Sequence, residues 1–224
     1  MKSINNYISE KLVINRNTGK KHYNYFPKTK EELQDIIKQR IEKEGNECDL
    51  NDIDVSKITN MTDLFYKNAF NGDISEWNVS NVKNMSGIFY ESKFNKDISN
   101  WDVSNVKDMS FMFYRSEFNS NISEWNVSKV ENMIDMFYNS DFNGDISSWD
   151  VSKVTRMDWM FAFSEFNQDI SSWDVRNVEN MKDMFAASKF NKDISSWDVS
   201  KVKDMTDIFK LSPLSGKEKE WWNK

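Results

Sequence analysis

A serine- or cysteine-based triad needs a histidine beside a nucleophile and an acid, and this 224-residue chain has a single histidine, His22. His22 lies far in sequence from the carboxylates that recur later, so a triad is not expected. The single cysteine, Cys48, excludes an internal disulfide and a cysteine-rich zinc site, and its position suggests packing rather than reactivity. The most regular chemical groups are the aspartates Asp73, Asp97, Asp145, Asp169 and Asp193, which share one column of a repeat. Such a column could hold calcium, but the Asp-x-Asp-x-Asn-Gly loop is missing. Carboxylates from neighbouring coils could also pair for acid–base work on a polysaccharide, as in a carbohydrate-active or carbohydrate-binding β-solenoid. Neither G-x-x-x-x-G-K-[ST] nor G-x-G-x-x-G occurs. No catalytic residue, metal ligand or cofactor is therefore expected, and the chain reads as a non-enzyme. Sequons such as Asn78-Val-Ser80 and Asn126-Val-Ser128 arise from the repeat itself.

That repeat dominates the chain. Trp77, Trp101, Trp125, Trp149, Trp173 and Trp197 recur every 24 residues, in six units over 70–213. A degenerate unit, 46–69, precedes them with Ile53 in the tryptophan column. A period this short fits one strand plus one short helical turn per coil better than a propeller blade or a helix pair. Ile98, Trp101 and Val103 read I-x-x-W-x-V, which matches the strand signature of leucine-rich repeats. Val106, Met109, Met112 and Phe113 have helical spacing, which predicts a short helix or 3-10 turn and argues against a β-helix. The expected fold is therefore an α/β solenoid, a leucine-rich-repeat-like right-handed coil stack. Each 24-residue repeat would carry one short parallel strand and one short helix or 3-10 turn. A single coil buries too little to offset its own ordering, so stacking must complete the core. The six indoles are expected inside. The asparagine column from Asn71 to Asn191 is read as structural, each amide bonding turn backbone and its copy in the next coil.

An exposed stack end needs a cap. Residues 1–45 are read as the N-terminal cap. YISEKLVIN and KKHYNYF around RNTG predict a β-hairpin, and Thr29 with Glu32 forms a capping box. Leu33, Ile36, Ile37 and Ile41 share one face of a helix over 30–44, which Gly45 can end. Residues 46–213 form the seven-unit solenoid, and 214–224, with Trp221 and Trp222, the C-terminal cap.

The string F-N-x-D-I-S-x-W-D-V-S-N-V-x-N-M-x-x-M-F resembles the BspA-like leucine-rich-repeat surface proteins of bacteria. The resemblance covers 46–213. It implies a binding solenoid without enzymatic activity, exported and surface-anchored, with a role in adhesion to host or matrix proteins. It brings no shared set of ligand residues. The sequence differs from the ordinary pattern in having Val106 where an asparagine ladder usually runs.

Columns that vary between coils are the ones free to recognise a partner. One outward column of the expected strand is Glu76, Asn100, Glu124, Ser148, Ser172 and Ser196. The next is Asn78, Asp102, Asn126, Asp150, Asp174 and Asp198, beside which Arg176 interrupts a serine column. Phe111 and Trp159 interrupt a column otherwise holding Asp63, Gly87, Asp135, Asp183 and Asp207, and Tyr66, Tyr90, Tyr114 and Tyr138 form a partial ladder. Exposed aromatics and arginine are typical interface anchors. The partner sites expected are thus the polar strand face with Arg176, together with Phe111 and Trp159. The expected function is a protein-binding scaffold, an adhesion or interaction module acting as a monomer.

Charge is uneven: residues 1–48 hold 10 basic and 7 acidic groups, whereas 49–213 hold 17 and 27. An acidic body disfavours nucleic-acid binding. A weaker alternative is that the acidic stripe mimics nucleic acid and inhibits a DNA-binding protein. No apolar run suits a signal peptide or a membrane span, so no membrane insertion is expected. By sequence the chain reads as cytoplasmic; the resemblance instead implies the cell surface or secretion.

Overall fold

The computed structural model describes residues 22–222. The hairpin expected around residues 7–26 lies largely outside them. The first element is helix α1, Lys30–Glu44. Thr29 starts it by accepting the Glu32 N–H at 3.2 Å, and the Glu32 carboxylate returns to the Lys28 N–H at 2.8 Å. Gly45 ends it at φ 88°, with its own N–H on the Ile41 carbonyl. Leu33, Ile36 and Ile37 are buried. Arg40 pins the helix to the first repeat: it forks onto Glu44, reaches Asp52 at 2.7 Å and bonds the Asp49 carbonyl at 2.9 Å. Tyr25 pairs in parallel with Ile53, so the chain before α1 covers the first edge.

From there the repeats stack in a 24-residue register. Parallel bridges run Asn60–Asn84–Asp108–Asn132–Arg156–Asn180–Asp204. Around that line, Met61, Asp63, Phe65 and Lys67 donate their N–H groups to Asn84, Ser86, Ile88 and Tyr90 in the next coil. The following units repeat the pattern, from Met85 to Asp108 and from Met109 to Asn132.

This placement corrects two expectations about the backbone. The Met–Phe segment read as a short helix or 3-10 turn is a run of tight turns that carries the inter-coil ladder. Leu64, Tyr66 and Asn68 donate to the carbonyls three residues back, while the alternate N–H groups leave for the neighbouring coil. A helix would keep all of these bonds within one coil. The alternation is made by left-handed residues: Asp63 and Lys67 sit at φ 56° and 50°, and both columns repeat this in every later unit, with Gly87 the glycine among them. The I-x-x-W-x-V segment read as a strand is also turned. Trp101 N–H returns to Ile98 and Val106 N–H to Val103, and the parallel pairing among the described residues consists of isolated bridges rather than strands.

Corners explain how one coil closes. Asp97, Asp102 and Asp108 each accept, through a side-chain oxygen, the N–H of the residue two positions on: Ser99, Ser104 and Ser110. Ser116 does the same for Phe118. Such side-chain-closed turns are why Asp, Asn and Ser recur at these positions.

The core fills the coil with stacked rings. Phe65, Phe89, Phe113, Phe137, Phe161, Phe185 and Phe209 form a ladder with centroids 5.6–5.8 Å apart. A second ladder runs from Phe70 to Phe190 at 6.2–6.4 Å. The six indoles point inward and are only 3–4% exposed. Each donates its N–H to a carbonyl of the preceding coil, at 2.9–3.2 Å. Outside, Asn71, Asn95, Asn119, Asn143 and Asn167 of the Phe-Asn pairs each accept the N–H of their own copy one coil on, at 2.8–2.9 Å. The stack ends at helix α2, Lys217–Trp221, where Trp221 and Trp222 pack on Phe209.

Candidate functional site

The polar columns lie on a turned surface, not on a strand face. Glu76, Asn100 and Glu124 are exposed, as are Asn78, Asp102, Asn126, Asp150 and Asp198, while Asp174 is half-buried. Every member of the Asn78–Asp198 column closes a turn, accepting the N–H two residues on at 3.0–3.2 Å. Arg176 is held down on Asp174 by two further bonds of 2.7 and 2.8 Å. That contact brings the Asp174 carboxyl down to about 2. These residues build the coil first, and at Asp174 both carboxylate oxygens are already taken by Arg176.

The repeated Asp-Ile-Ser corners line two shallow surface recesses. One, about 360 Å³, is bordered by Glu47, Gly72, Asp73, Ser75, Lys96 and Asp97. The other, about 330 Å³, repeats it with Asp169, Ser171, Lys192 and Asp193. Hydrogen bonds from Ser75, Ser99, Ser171 and Ser195 hold those four carboxyls below the usual range. They stay ionised and are poor proton donors, the opposite of what a general acid needs. Among the described residues, no cluster of three His, Cys, Asp or Glu could hold a metal. Cys48 is buried, and burial raises its thiol pKa, which suppresses the reactive thiolate. His22 is exposed.

The aromatic columns meet on another face. Tyr66, Tyr90, Tyr114 and Tyr138 stack at 4.5–4.7 Å, in step with the inter-coil ladder beneath. Phe111 and Trp159 are half-buried and lean onto this ladder. Phe111 meets Tyr90 and Tyr114 at 6.5 and 6.1 Å, and Trp159 meets Tyr138 at 6.0 Å. Each ring is tilted by about 50° to the tyrosines it touches. Phe163, which packs at 5.4 Å on Tyr138, is 47% exposed, and Tyr66 46%. Phe163 and the 79%-exposed Leu211 were not among the expected sites. Their column begins Lys67, Glu91, Arg115, Asn139 and turns apolar at Phe163, Ala187 and Leu211. Like Phe111 and Trp159, Phe163 and Leu211 are apolar residues in a column that is polar in other coils, which is the signal that marks them in the sequence.

Between the rings lie carboxylates. Asp135 occupies the rung between Phe111 and Trp159, and burial, reinforced by Asp158, pushes its carboxyl up to about 7. Asp183 follows Trp159, is only 5% exposed, and is raised by burial and then by Asp207. Asp158 itself is buried against Arg156, which grips both its oxygens at 3.0 and 3.2 Å.

A family model described as "Mycoplasma protein of unknown function, DUF285" matches residues 32–141 and again 115–222. Neither a curated protein nor a solved structure matches the chain. Among the described residues no helix is long and apolar enough to cross a membrane.

Proposed function

The chain belongs to the DUF285 family of mycoplasma proteins, and from that premise and the surface just described we propose that it is a non-enzymatic, protein-binding scaffold. Its architecture is a solenoid of the leucine-rich-repeat kind, with the inter-coil ladder moved from the tryptophan segment to the Met–Phe segment. The carrying observation is the aromatic face: Tyr66 to Tyr138 in one ladder, with Phe111, Trp159 and Phe163 against it. Large aromatics presented together on a rigid support are what protein interfaces use as anchors. Invariant columns already supply the fold, so these rings are not needed to close the coil.

The same geometry weighs against a carbohydrate platform. Sugar stacking needs a free ring face, and each inner tyrosine face is covered by the next ring at 4.5–4.7 Å. Edges and hydroxyls remain, which suit a protein surface. The finer likeness, to BspA-like leucine-rich-repeat proteins, rests on the F-N-x-D-I-S-x-W-D-V-S string and supports a role in adhesion at a cell surface.

Photo-crosslinking tests this reading. A benzoylphenylalanine placed at Phe163 samples the aromatic face, and one at Glu124 samples the polar columns. Crosslinked partners are expected from Phe163. Crosslinks from Glu124 alone would move the interface to the polar columns, and turnover of a polysaccharide by the purified chain would overturn the reading altogether.

A further inference from the structure

We propose that the rungs Phe111, Asp135, Trp159 and Asp183 form a binding row for the arginine or lysine side chains of a basic, extended segment on a partner protein. This rests on the protein-binding reading above and names the chemistry of what is bound.

The four residues occupy one column in four successive coils, at φ 57°, 53°, 59° and 54°. Equal backbone conformation in register points their side chains the same way. The row therefore alternates ring, carboxylate, ring, carboxylate. Parallel pairing between successive coils sets the rung spacing at about 4.8 Å.

Among the described residues neither carboxylate is in an ion pair, although Asp135 is half-buried and Asp183 nine-tenths buried. Among the described residues, the Asp135 carboxylate accepts no hydrogen bond and enters no ion pair, and the charge that acts on it is Asp158. Arg156, the nearby cation, is paired with Asp158 through Nε and Nη2. Asp183 is nine-tenths buried and, among the same residues, its carboxylate is equally unpartnered. Lys182 and Lys210 act on it from a distance, but Lys210 is paired with Asp207 at 2.8 Å. The aromatic rungs add the second half of the recognition. Phe111 and Trp159 are half-buried and tilted against the tyrosines, so part of each ring lies at the surface within reach of a cation. A guanidinium against Trp159 has a carboxylate one rung away on either side. The body of the chain, with 27 acidic and 17 basic groups over 49–213, attracts the same class of partner from a distance.

The spacing narrows the segment. Asp135 and Asp183 are two rungs apart, about 9.6 Å at this rung height. A polyproline-II segment brings side chains back to one face every three residues, close to that at about 9 Å. Cations three residues apart would therefore reach both acids.

The test is fluorescence anisotropy of a fluorescein-labelled peptide, Arg-Pro-Pro-Arg-Pro-Pro-Arg, titrated with the full chain at physiological salt. Saturable binding is expected. The double variant Asp135→Asn with Asp183→Asn should weaken it by about tenfold, and Trp159→Leu comparably. Asp97→Asn, which removes one charge at a different corner and keeps its turn, should leave it unchanged. Melting curves confirm that each variant is folded. Absence of saturable binding, or equal loss in Asp97→Asn, overturns the row. Either result alongside crosslinked partners at Phe163 would leave the scaffold reading standing; loss of those crosslinks is what removes the aromatic face as its interface.

Discussion

The indole N–H of Trp125 donates to the carbonyl of Ile98, 3.1 Å away in the preceding coil. One side chain thus fills the interior and ties two coils together. Trp125→Ala should remove both functions and cost about 3–5 kcal/mol, the range for deleting a buried aromatic. Trp197→Ala should cost less, because a coil near the end has fewer repeats depending on it. Urea unfolding of the two variants gives the comparison, and equal losses would contradict the nearest-neighbour picture.

The corner aspartates can be tested for structure apart from binding. Asp102 and Asp150 each accept the N–H of a serine two residues on, at 3.1 and 3.0 Å. Asn keeps that acceptor and Ala does not. Asp102→Asn should stay within about 0.5 kcal/mol of the parent, whereas Asp102→Ala should lose about 1 kcal/mol. A matching loss in both variants would mean that charge, not the turn bond, is what matters.

Much of this arrangement is legible in the sequence, and the limit of legibility is physical. The period, the inward indoles and the degenerate unit with Ile53 follow from column identity. The two ends of α1 can be read from Thr29, Glu32 and Gly45. What spacing reports is which side chains land inside. It does not report the backbone that brings them there. Met109, Met112 and Phe113 are spaced as on a helix, yet turns closed every three residues give the same inward pattern. Similarly, Asp102 reads as an outward strand residue because a turn corner also points outward. The burial of Asp183 and half-burial of Asp135 depend on bulk from neighbouring coils, so they emerge only when coils are in contact.

Ala187 separates the two backbones directly. It sits at φ 53° with almost no side chain to lose. In a helix, Ala→Gly costs about 1 kcal/mol. At a left-handed position the sign reverses, because the alanine Cβ is strained there and glycine is not. Ala187→Gly is therefore expected to stabilise by about 0.5–1 kcal/mol, read from the urea midpoint. Destabilisation would restore the helical reading of that segment.

Asp135 gives the chain a pH dependence of predictable sign. Its carboxyl stands at about 7 in the fold, against about 3.9 in an unfolded chain. The folded state therefore holds this proton more tightly. The stability that comes from the protonated group is fully present below about pH 4 and is lost as pH rises through about 7. A neutral asparagine side chain in its place would mimic the protonated form at every pH. Asp135→Asn should leave stability unchanged near pH 4 and raise it by about 1–2 kcal/mol at pH 8, after allowing for solvent screening. Comparing the variant with its parent cancels carboxylates such as Asp97 and Asp169, whose lowered pKa values act in the opposite sense. The check is a series of urea midpoints from pH 4 to pH 8. A gap between parent and variant that stays constant over that range would mean that Asp135 is ionised throughout, its charge already met by a group within the fold.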